Sequence, residues 1–229
     1  QGQASEKLLD TYAMDRQFAA DENIMNSTRS TDFITPKSRT SKTFRNQVLA
    51  LAKHYPFARK LVNSGRLSMP SFLTGSALNT PDADIFEGQM VPGAPMDDAP
   101  VQVYEQGAEQ GKLQEAWLLD QVGHGFQCLL FVQSAPSADI LAALQLLQLG
   151  RVPINPLIVS GQALQVPGFK VLLDPQGLVA RRYDAQPGTT YLLRPDQHVV
   201  ARWRHFELQK LQGALDRALG KVAPAQALA

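Results

Sequence analysis

The chain has 229 residues, of which 44% are hydrophobic and 19% charged, a composition typical of a soluble globular protein with one or two cores. The formal net charge of +1 argues against the coherent basic surface that nucleic-acid binding requires. One cysteine excludes an internal disulfide framework and is typical of a reducing cytoplasm. No apolar run approaches the roughly 20 residues that span a bilayer. We therefore expect a cytoplasmic protein with neither nucleic acid nor membrane as a partner.

The charge is unevenly distributed along the chain. Residues 1–70 hold 11 Lys and Arg against 6 Asp and Glu, whereas residues 71–111 hold 7 Asp and Glu and no Lys or Arg. Such an acidic middle can lie against basic neighbours, but a solvated linker is the more common explanation. The chain begins at Gln1 rather than Met and enters a helical pattern at once, which we interpret as a processed or truncated start.

The N-terminal part reads as helical. Residues 5–27 carry a thin apolar stripe that suggests packing against something larger, with Ser5 as the N-cap. A polar stretch over 26–38, which contains the turn-forming Pro36, is predicted to break the helix. The positions of a second helix that share one apolar face are Phe44, Val48, Leu51 and Tyr55, before Pro56. Residues 57–62 add a short third turn that ends near Gly65.

Residues 69–100 are rich in Pro, Gly, Asp and Ser without clear periodicity, and we predict an extended acidic linker there. Strands and helices then alternate. Buried strands are predicted over 127–133, 154–160 and 169–174, with a Ser137-capped helix that stops at Gly150 and a terminal helix over 208–219.

The stretch YDAQPGTTYLLRPDQHVVARWR, residues 183–204, is predicted to form a β-hairpin around Pro195-Asp196-Gln197. Period-2 alternation places Val199, Ala201 and Trp203 on one face, and His198, Val200, Arg202 and Arg204 on the other. Strand, helix, strand, hairpin and terminal helix is the thioredoxin order of elements. The predicted fold is therefore α/β, a thioredoxin-like mixed sheet flanked by helices and preceded by a helical N-terminal segment.

A thioredoxin-like domain usually acts through a cysteine at the start of the helix after its first core strand, where the helix dipole lowers the thiol pKa. Here that loop reads QSAPSADI and has no cysteine. Cys128 lies inside the preceding predicted strand, where a small buried hydrophobe is the expected role. The pattern does not support thiol chemistry.

The hairpin carries a charged cluster that allows two interpretations. Its members are Arg194, Asp196, His198, Arg202 and Arg204. They could bind an anion or supply a general base, but a charged rim on one hairpin face is the more common meaning. The histidines at 54, 124, 198 and 205 show no zinc spacing, and neither G-x-S-x-G nor a phosphate-binding or dinucleotide glycine motif is present. No residue is therefore assigned a catalytic, cofactor-binding or metal-binding role.

Four stretches together carry a family resemblance. They are LLDTYAMDRQFAADENIMNSTRSTDFITPKS (8–38), ARKLVNSGRLSMP (58–70), PGAPMDDAPV (92–101) and the predicted hairpin sequence at 183–204. In this order they resemble the C-terminal part of FAD-dependent aromatic hydroxylases, the phenol hydroxylase-like flavoprotein monooxygenases. The resemblance covers nearly the whole chain.

This resemblance implies a domain organisation and a role. Residues 1–68 would be a helical segment left from the FAD and substrate domains, residues 69–100 the linker, and residues 101–229 a thioredoxin-like domain lacking redox cysteines. The motifs that hold FAD would lie upstream, so the intact parent would use FAD and NAD(P)H while this chain supplies architecture. The missing N-terminal FAD domain is the implied partner, with Arg29, Asp32 and Arg66 as interdomain residues, and a homodimer is plausible.

Two alternatives stay open. The chain could be a free-standing, non-catalytic thioredoxin-fold module for binding or dimerisation. A peroxiredoxin-like enzyme gains something from PGAPMDDAPV, which is similar to the beginning of that group's domain, but the expected peroxidatic cysteine is missing. An in-frame upstream domain with a G-x-G-x-x-G motif would favour the hydroxylase hypothesis.

Overall fold

The computed structural model describes residues 6–63, 70–104 and 113–221. The chain divides into two compact units: a helical unit, residues 13–71, and a sheet unit built mainly from residues 72 onward. The helices are α1 (Lys7–Ile34), α2 (Arg39–Ala52), α3 (Pro56–Asn63), α4 (Leu118–Gln121), α5 (Ala138–Leu149), α6 (Leu178–Arg182) and α7 (Leu208–Ala218). The strands are β1 (Pro100–Tyr104), β2 (Leu113–Trp117), β3 (Phe126–Val132), β4 (Ile154–Ser160), β5 (Lys170–Leu173), β6 (Thr190–Leu193) and β7 (Val199–Trp203).

The strands form one mixed seven-stranded sheet in the order β2-β1-β5-β4-β3-β6-β7. Strands β3, β4 and β5 are parallel, whereas β6 pairs antiparallel with β3 and β7 antiparallel with β6. The β3-α5-β4 crossover followed by the β6–β7 hairpin and α7 is the thioredoxin arrangement. The predicted fold class is therefore confirmed.

Both faces of the sheet are covered by apolar side chains. One face packs against α5 and α7 through residues that include Leu144, Leu147, Leu211 and Ala214. The other face packs against Val179 and Tyr183, which belong to and follow α6, and against Met90, Ala94, Met96 and Ala99. Because β3 and β4 are buried on both sides, their sequences are nearly continuous apolar runs, which made them readable from sequence.

Residues 72–99, which we call the strap, contain no helix or strand yet belong to the sheet unit. The strap runs along the outer edge of β7: Gly93 donates its N–H to the Val199 carbonyl, and Val199 donates its N–H to the Ala94 carbonyl. Further along, Thr80 donates to the Val200 carbonyl. The strap therefore satisfies backbone groups that an edge strand would leave open. The boundary at residue 101 stays a prediction, but the described residues just before it are built into the sheet unit and do not form a free linker.

Gly93 is the tightest point of the strap. Its φ is +92°, and a Cβ built on it would come within 2.4 Å of the Leu73 carbonyl carbon and oxygen. Leu73 in turn donates its N–H to the Gly93 carbonyl at 2.7 Å. Only glycine combines this left-handed conformation with so close a backbone approach.

A β-bulge makes the predicted alternation along β7 wrong at Val199 and Val200, whereas Ala201 and Trp203 share one face opposite Arg202 and Arg204, as predicted. The pairing shifts between Leu192, which faces Ala201, and Leu193, which faces Val199, so Val200 is the extra residue. As a result Val199 joins the core on the strap side of the sheet, while Ala201 and Trp203 join the core on the α5 side. Arg202 and Arg204 consequently point toward the strap.

In the helical unit, α1 continues to Ile34, so the predicted break over residues 26–38 begins too early. Serine, threonine and asparagine have low helix propensity, but neither Pro nor Gly occurs between residues 26 and 35. The Thr35 hydroxyl donates to the Thr31 carbonyl one turn earlier, which accommodates the polar side chain at the end of the helix. Ser38 then caps α2 by accepting the N–H of Ser41. The predicted cap Ser5 and the predicted stop near Gly65 lie outside the described residues.

Candidate functional site

The hairpin arginines meet the acidic strap. Arg202 donates from Nε to both carboxylate oxygens of Asp82, at 3.0 and 3.2 Å, and from Nη2 to Oδ2 at 2.7 Å. The arginine is only 3% exposed, and its guanidinium carbon lies 4.3 Å from the centroid of the Phe86 ring. A fork-shaped guanidinium matches a carboxylate and stacks on an aromatic face at the same time, which lysine cannot do.

Arg204 makes a second attachment beside the first. It donates from Nη2 to Asp184 Oδ2 at 2.6 Å, and its guanidinium carbon lies 3.8 Å from the Phe86 ring centroid. Its backbone N–H donates to Asp84 Oδ2 at 2.8 Å. Phe86 is therefore held by two arginines, and we call residues 82–86 with Arg202 and Arg204 the arginine clamp. Its donors point at carboxylates and carbonyls of the chain itself, so the geometry favours an internal brace over the anion site considered from sequence.

Asp184 lies beside the arginine clamp and accepts a hydrogen bond from Arg204. Burial acts to raise the pKa of this carboxyl, but the Glu87 N–H and the Arg204 guanidinium outweigh burial, so the net shift is downward. The Glu87 N–H donates to Asp184 Oδ2 at 2.8 Å. In the described part of the acidic middle, Asp82 pairs with Arg202 and Asp97 lies 4.0 Å from Arg182. Such pairing is the alternative that composition alone made the less common one.

Arg194, Asp196 and His198 form a separate cluster at the hairpin turn. Arg194 donates to Asp196 through Nε at 3.0 Å and Nη2 at 2.7 Å, and His198 Nδ1 lies 3.4 Å from Asp196 Oδ1. Burial acts to raise the pKa of Asp196, but hydrogen bonds and charges from His198 and Arg194 prevail and lower it strongly. The cluster ties the two ends of the turn together, and its carboxylate is engaged by both neighbours.

We expect Asp196→Asn to flatten the acid limb of the stability curve. A carboxyl whose pKa is lower in the folded state contributes its full stability above the unfolded pKa of about 3.9 and loses it as the pH falls below that value. The free energy of unfolding of the wild type should therefore fall more steeply between about pH 4 and pH 2 than that of the variant. Urea titrations at several pH values measure this, with Asp10→Asn on α1 as the control; identical slopes in wild type and Asp196→Asn would contradict it.

Cys128 is buried in β3, as predicted. Its side chain has no exposed surface, and burial raises the pKa of the thiol to about 12. The loop that follows β3, where thioredoxin-fold enzymes carry their thiol, has Ser137 as the N-cap of α5. Ser137 Oγ accepts the Ile140 N–H at 3.4 Å.

Alkylation provides the check on this thiol. Because the thiolate is the reactive form and the sulfur is enclosed, we expect no modification of Cys128 by iodoacetamide at pH 8 in the folded chain and complete modification in urea. Intact-mass spectrometry after a timed reaction measures both. Rapid labelling of the folded chain would contradict the burial of this thiol.

A cavity of about 310 Å³ lies at the carboxyl ends of the parallel strands, next to the loop after β3. Its apolar wall includes Phe131 and Val159, and its polar groups include Gln133, Gln162 and Gln186. The carboxylate of Asp174, which also lines it, accepts the N–H groups of Leu178 and Ala180 at the start of α6. Since this carboxylate is already engaged, the cavity offers carboxamides but no free acid or base.

The remaining predicted residues do not assemble into one site. Arg29 lines a cavity of about 270 Å³ between α1 and α3, and Asp32 pairs with Lys37 at 3.6 Å. Arg66 lies outside the described residues. Across residues 6–63, 70–104 and 113–221 no group of three His, Cys, Asp or Glu could hold a metal ion, and no helix there is long and apolar enough to cross a membrane.

Three solved structures of flavin-dependent enzymes contain a part with a similar fold. Aklavinone-11 hydroxylase, solved with FAD and aklavinone, is 22% identical with a TM-score of 0.56, and the flavin-dependent monooxygenase PieE, solved with FAD and substrate, is 18% identical with a TM-score of 0.58. The rebeccamycin biosynthetic enzyme RebC, solved with reduced flavin, is 18% identical with a TM-score of 0.54. Each match covers 96% of this chain but only 36%, 41% and 38% of the other chain, respectively. No family model and no curated protein matches the sequence.

The chain has the fold of a C-terminal part of FAD-dependent aromatic hydroxylases. The family resemblance found in the sequence is thereby confirmed at the level of fold. The chain spans well under half of the length of these hydroxylases.

The turn between β3 and α5 does not fit the kind of dinucleotide site that FAD uses in a strand-turn-helix unit. Such a site needs a glycine-rich turn that lets backbone N–H groups approach the pyrophosphate at a helix N-terminus. The corresponding turn between β3 and α5 reads QSAPS, in which Pro136 has no N–H and Ser137 already occupies the helix terminus. We therefore assign no flavin contact to these residues of the hydroxylase fold.

Sequence reasoning identified Arg202 and Arg204 but missed their partners. Asp82 lies 120 residues before Arg202, and side-chain alternation along β7 gives no information about so distant a partner. Asp184 lies only 20 residues before Arg204, but alternation does not connect it with the strand either. The available signal was charge: the acidic strap has no basic residue of its own, so its carboxylates had to pair elsewhere or remain solvated.

Proposed function

We propose that the chain is the C-terminal part of an FAD-dependent, NAD(P)H-using monooxygenase that hydroxylates phenolic or other aromatic substrates in the cytoplasm. In this proposal the chain contributes architecture and is not catalytic alone. The observation that carries it is the coverage: almost all of this chain matches 36–41% of three flavin-dependent enzymes. FAD and NAD(P)H would be bound by an upstream domain, and FAD would supply the redox chemistry there.

The charged groups of the sheet unit support a structural role. Arg202 and Arg204 bind the strap, Arg194 binds Asp196, and the Cys128 thiol is enclosed. Groups that are fully engaged inside the fold stabilise it and are poorly placed to bind a substrate. A homodimer through this unit, or contacts with the upstream domain, would be consistent with such a role.

A titration of FAD into the 229-residue chain tests whether these residues bind the flavin themselves. We expect flavin fluorescence to stay unquenched and the chain to show no NAD(P)H oxidation with phenols. Stoichiometric quenching at micromolar FAD would place a flavin site within these residues and contradict the proposal. Bovine serum albumin at equal concentration controls for weak non-specific quenching.

A second function is favoured by one observation: the sheet unit has a core on both faces of its sheet, as an independently folding module does. A free-standing thioredoxin-fold module for binding or dimerisation would then be sufficient by itself. This second function predicts that the coding sequence has no flavin-binding domain in frame upstream of these residues.

A further inference from the structure

The cavity next to the loop after β3 has the composition of a small-molecule site, and the proposed function assigns it no ligand. Its volume is about 310 Å³, at the lower end of the range for ligand pockets. Such pockets are mostly apolar and have a few convergent polar groups. Both conditions are met here. The apolar lining residues are Phe131, Val132, Val159, Ala180, Ala185 and Pro187, and the carboxamides belong to Gln133, Gln162 and Gln186.

The topology of the sheet explains why a crevice forms at this position. Strands β3, β4 and β5 are parallel, so their carboxyl ends meet at the same end of the sheet. Helix α5, which follows β3, packs on one face of the sheet, whereas α6, which follows β5, packs on the other. Segments that leave toward opposite faces leave a gap between them, and open α/β sheets bind ligands in such gaps.

The three carboxamides have hydrogen-bonding groups to spare. Gln133 follows β3, Gln162 follows β4, and Gln186 lies between α6 and β6. The Gln162 N–H donates to Ser160 Oγ at 3.2 Å and the Gln186 N–H to Thr189 Oγ1 at 3.0 Å, so these bonds use the backbone. Within the described ranges none of the three side-chain carboxamides is paired. A carboxamide presents a donor beside an acceptor, and its best partner does the same.

The walls of the cavity favour an uncharged ligand. Among the described lining residues the one ionisable side chain is Asp174, which is 2% exposed and accepts the N–H groups of Leu178 and Ala180 at 2.8 and 2.9 Å. Arg181, the residue after Ala180, donates to the Gln176 carbonyl at 2.7 Å. An ionic group that enters an apolar cavity without a counter-charge loses its hydration and is strongly disfavoured.

We propose that this cavity binds an uncharged cyclic amide, a lactam, whose ring contacts the apolar wall and whose N–H and C=O pair with the glutamine carboxamides. An extended peptide is disfavoured because such peptides add to the free edge of a sheet, whereas β3 and β4 are paired on both sides. The lining residues belong to the sheet unit, so the inference goes beyond the proposed function and does not depend on it.

Titration of the 229-residue chain with quinolin-2(1H)-one, followed by nitrogen-15 NMR, tests the inference. We expect saturable shifts of the side-chain NH₂ signals of Gln133, Gln162 and Gln186 and of the Gly161 amide, with a Kd of about 1 mM or below. N-methylquinolin-2-one, which lacks the N–H donor, should bind at least about fivefold more weakly. The anion 2-naphthoate, of similar size, should give no saturable shift of these signals.

Two sets of variants locate the binding. Gln162→Met with Gln186→Met keeps the side-chain length but removes two carboxamides, and should weaken quinolinone binding at least about fivefold. Gln145→Met with Gln148→Met makes the same change on α5, away from the cavity, and should leave the Kd unchanged. Ala180→Leu should abolish binding because the larger side chain occupies the cavity. Urea unfolding followed by tryptophan fluorescence shows that each variant is folded.

The outcomes are distinct. Absence of saturable shifts at the three glutamines, or an equal Kd for the wild type and Gln162→Met with Gln186→Met, overturns the inference. Tighter binding of 2-naphthoate than of quinolinone would make the cavity an anion site and also overturns it. Shifts of the same signals with the neutral peptide acetyl-trialanine amide, but not with quinolinone, would assign the cavity to a peptide, with the same consequence. Each of these failures leaves the proposed function standing.

Discussion

Replacing Arg202 with methionine should lower the free energy of unfolding of the sheet unit by about 2 kcal/mol. Methionine keeps much of the side-chain volume but leaves the Asp82 carboxylate without its hydrogen-bonded partner and Phe86 without one of its two arginines. Because the Asp82 side chain is 28% exposed, its carboxylate is rehydrated when the guanidinium is removed. The cost is therefore that of the lost charged hydrogen bonds and of the lost stacking on Phe86. Both tryptophans, Trp117 and Trp203, lie in the sheet unit, so urea unfolding followed by tryptophan fluorescence measures the loss.

A double-mutant cycle with Asp82→Asn identifies the cause. If the cost comes from the lost ion pair, Arg202→Met should be less destabilising in the Asp82→Asn background, with a coupling of about 1 kcal/mol. Arg202→Lys, which keeps the charge but not the fork, should fall between wild type and Arg202→Met. Strict additivity of Arg202→Met and Asp82→Asn would contradict the arginine clamp as the mechanism that holds the strap.

Replacing Tyr191 with alanine should cost about 4 kcal/mol, the largest effect that we expect in this chain. The Tyr191 ring is fully buried and has its centroid 5.3 Å from that of Tyr183, 6.3 Å from Phe131 and 6.2 Å from Phe86. Alanine leaves a cavity at the point where the strap, β3, β6 and the residues after α6 converge. The surrounding backbone is fixed by the sheet, so the cavity collapses little.

Tyr191→Phe separates the hydroxyl from the ring. The hydroxyl donates to the buried Tyr183 carbonyl, and burial raises the pKa of Tyr191 to about 12. Losing this donor should cost about 1–2 kcal/mol, because the carbonyl becomes an unsatisfied buried acceptor. Leu149→Ala, at an 82% exposed position, should change stability by less than about 0.5 kcal/mol. A loss for Tyr191→Ala no larger than that for Tyr191→Phe would contradict the packing role of the ring.

The sequence predicted two kinds of feature well: strands that are buried on both faces of the sheet, and helix caps whose hydrogen bond joins residues close in sequence. Strand β4 was predicted at residues 154–160, where it lies, because its apolar run ends at turn residues, and Ser137 caps α5 through a contact three residues away. Strands β1 and β2 were missed. Both are five residues long, only two positions of β1 are buried, and β2 is an edge strand without a buried residue.

Contacts between residues that are distant in sequence could not be predicted from local sequence patterns. The β-bulge at Val200 interrupts the side-chain alternation along β7, and the local sequence pattern does not predict it. The strap has no regular hydrogen-bond period of its own because its partners are the edge of β7 and two arginines more than a hundred residues away. Such pairings depend on topology, and composition indicated only that acidic and basic groups were available.

Under the proposed function, these residues form the C-terminal part of a flavin-dependent aromatic hydroxylase. The most direct test is to express the longer chain from the in-frame upstream sequence and record its visible absorption spectrum, with FAD quantified after denaturation. We expect about one FAD per chain, together with NAD(P)H oxidation that phenolic compounds accelerate. An upstream sequence without a flavin-binding domain, or a longer chain that is colourless and binds no added FAD, would contradict it.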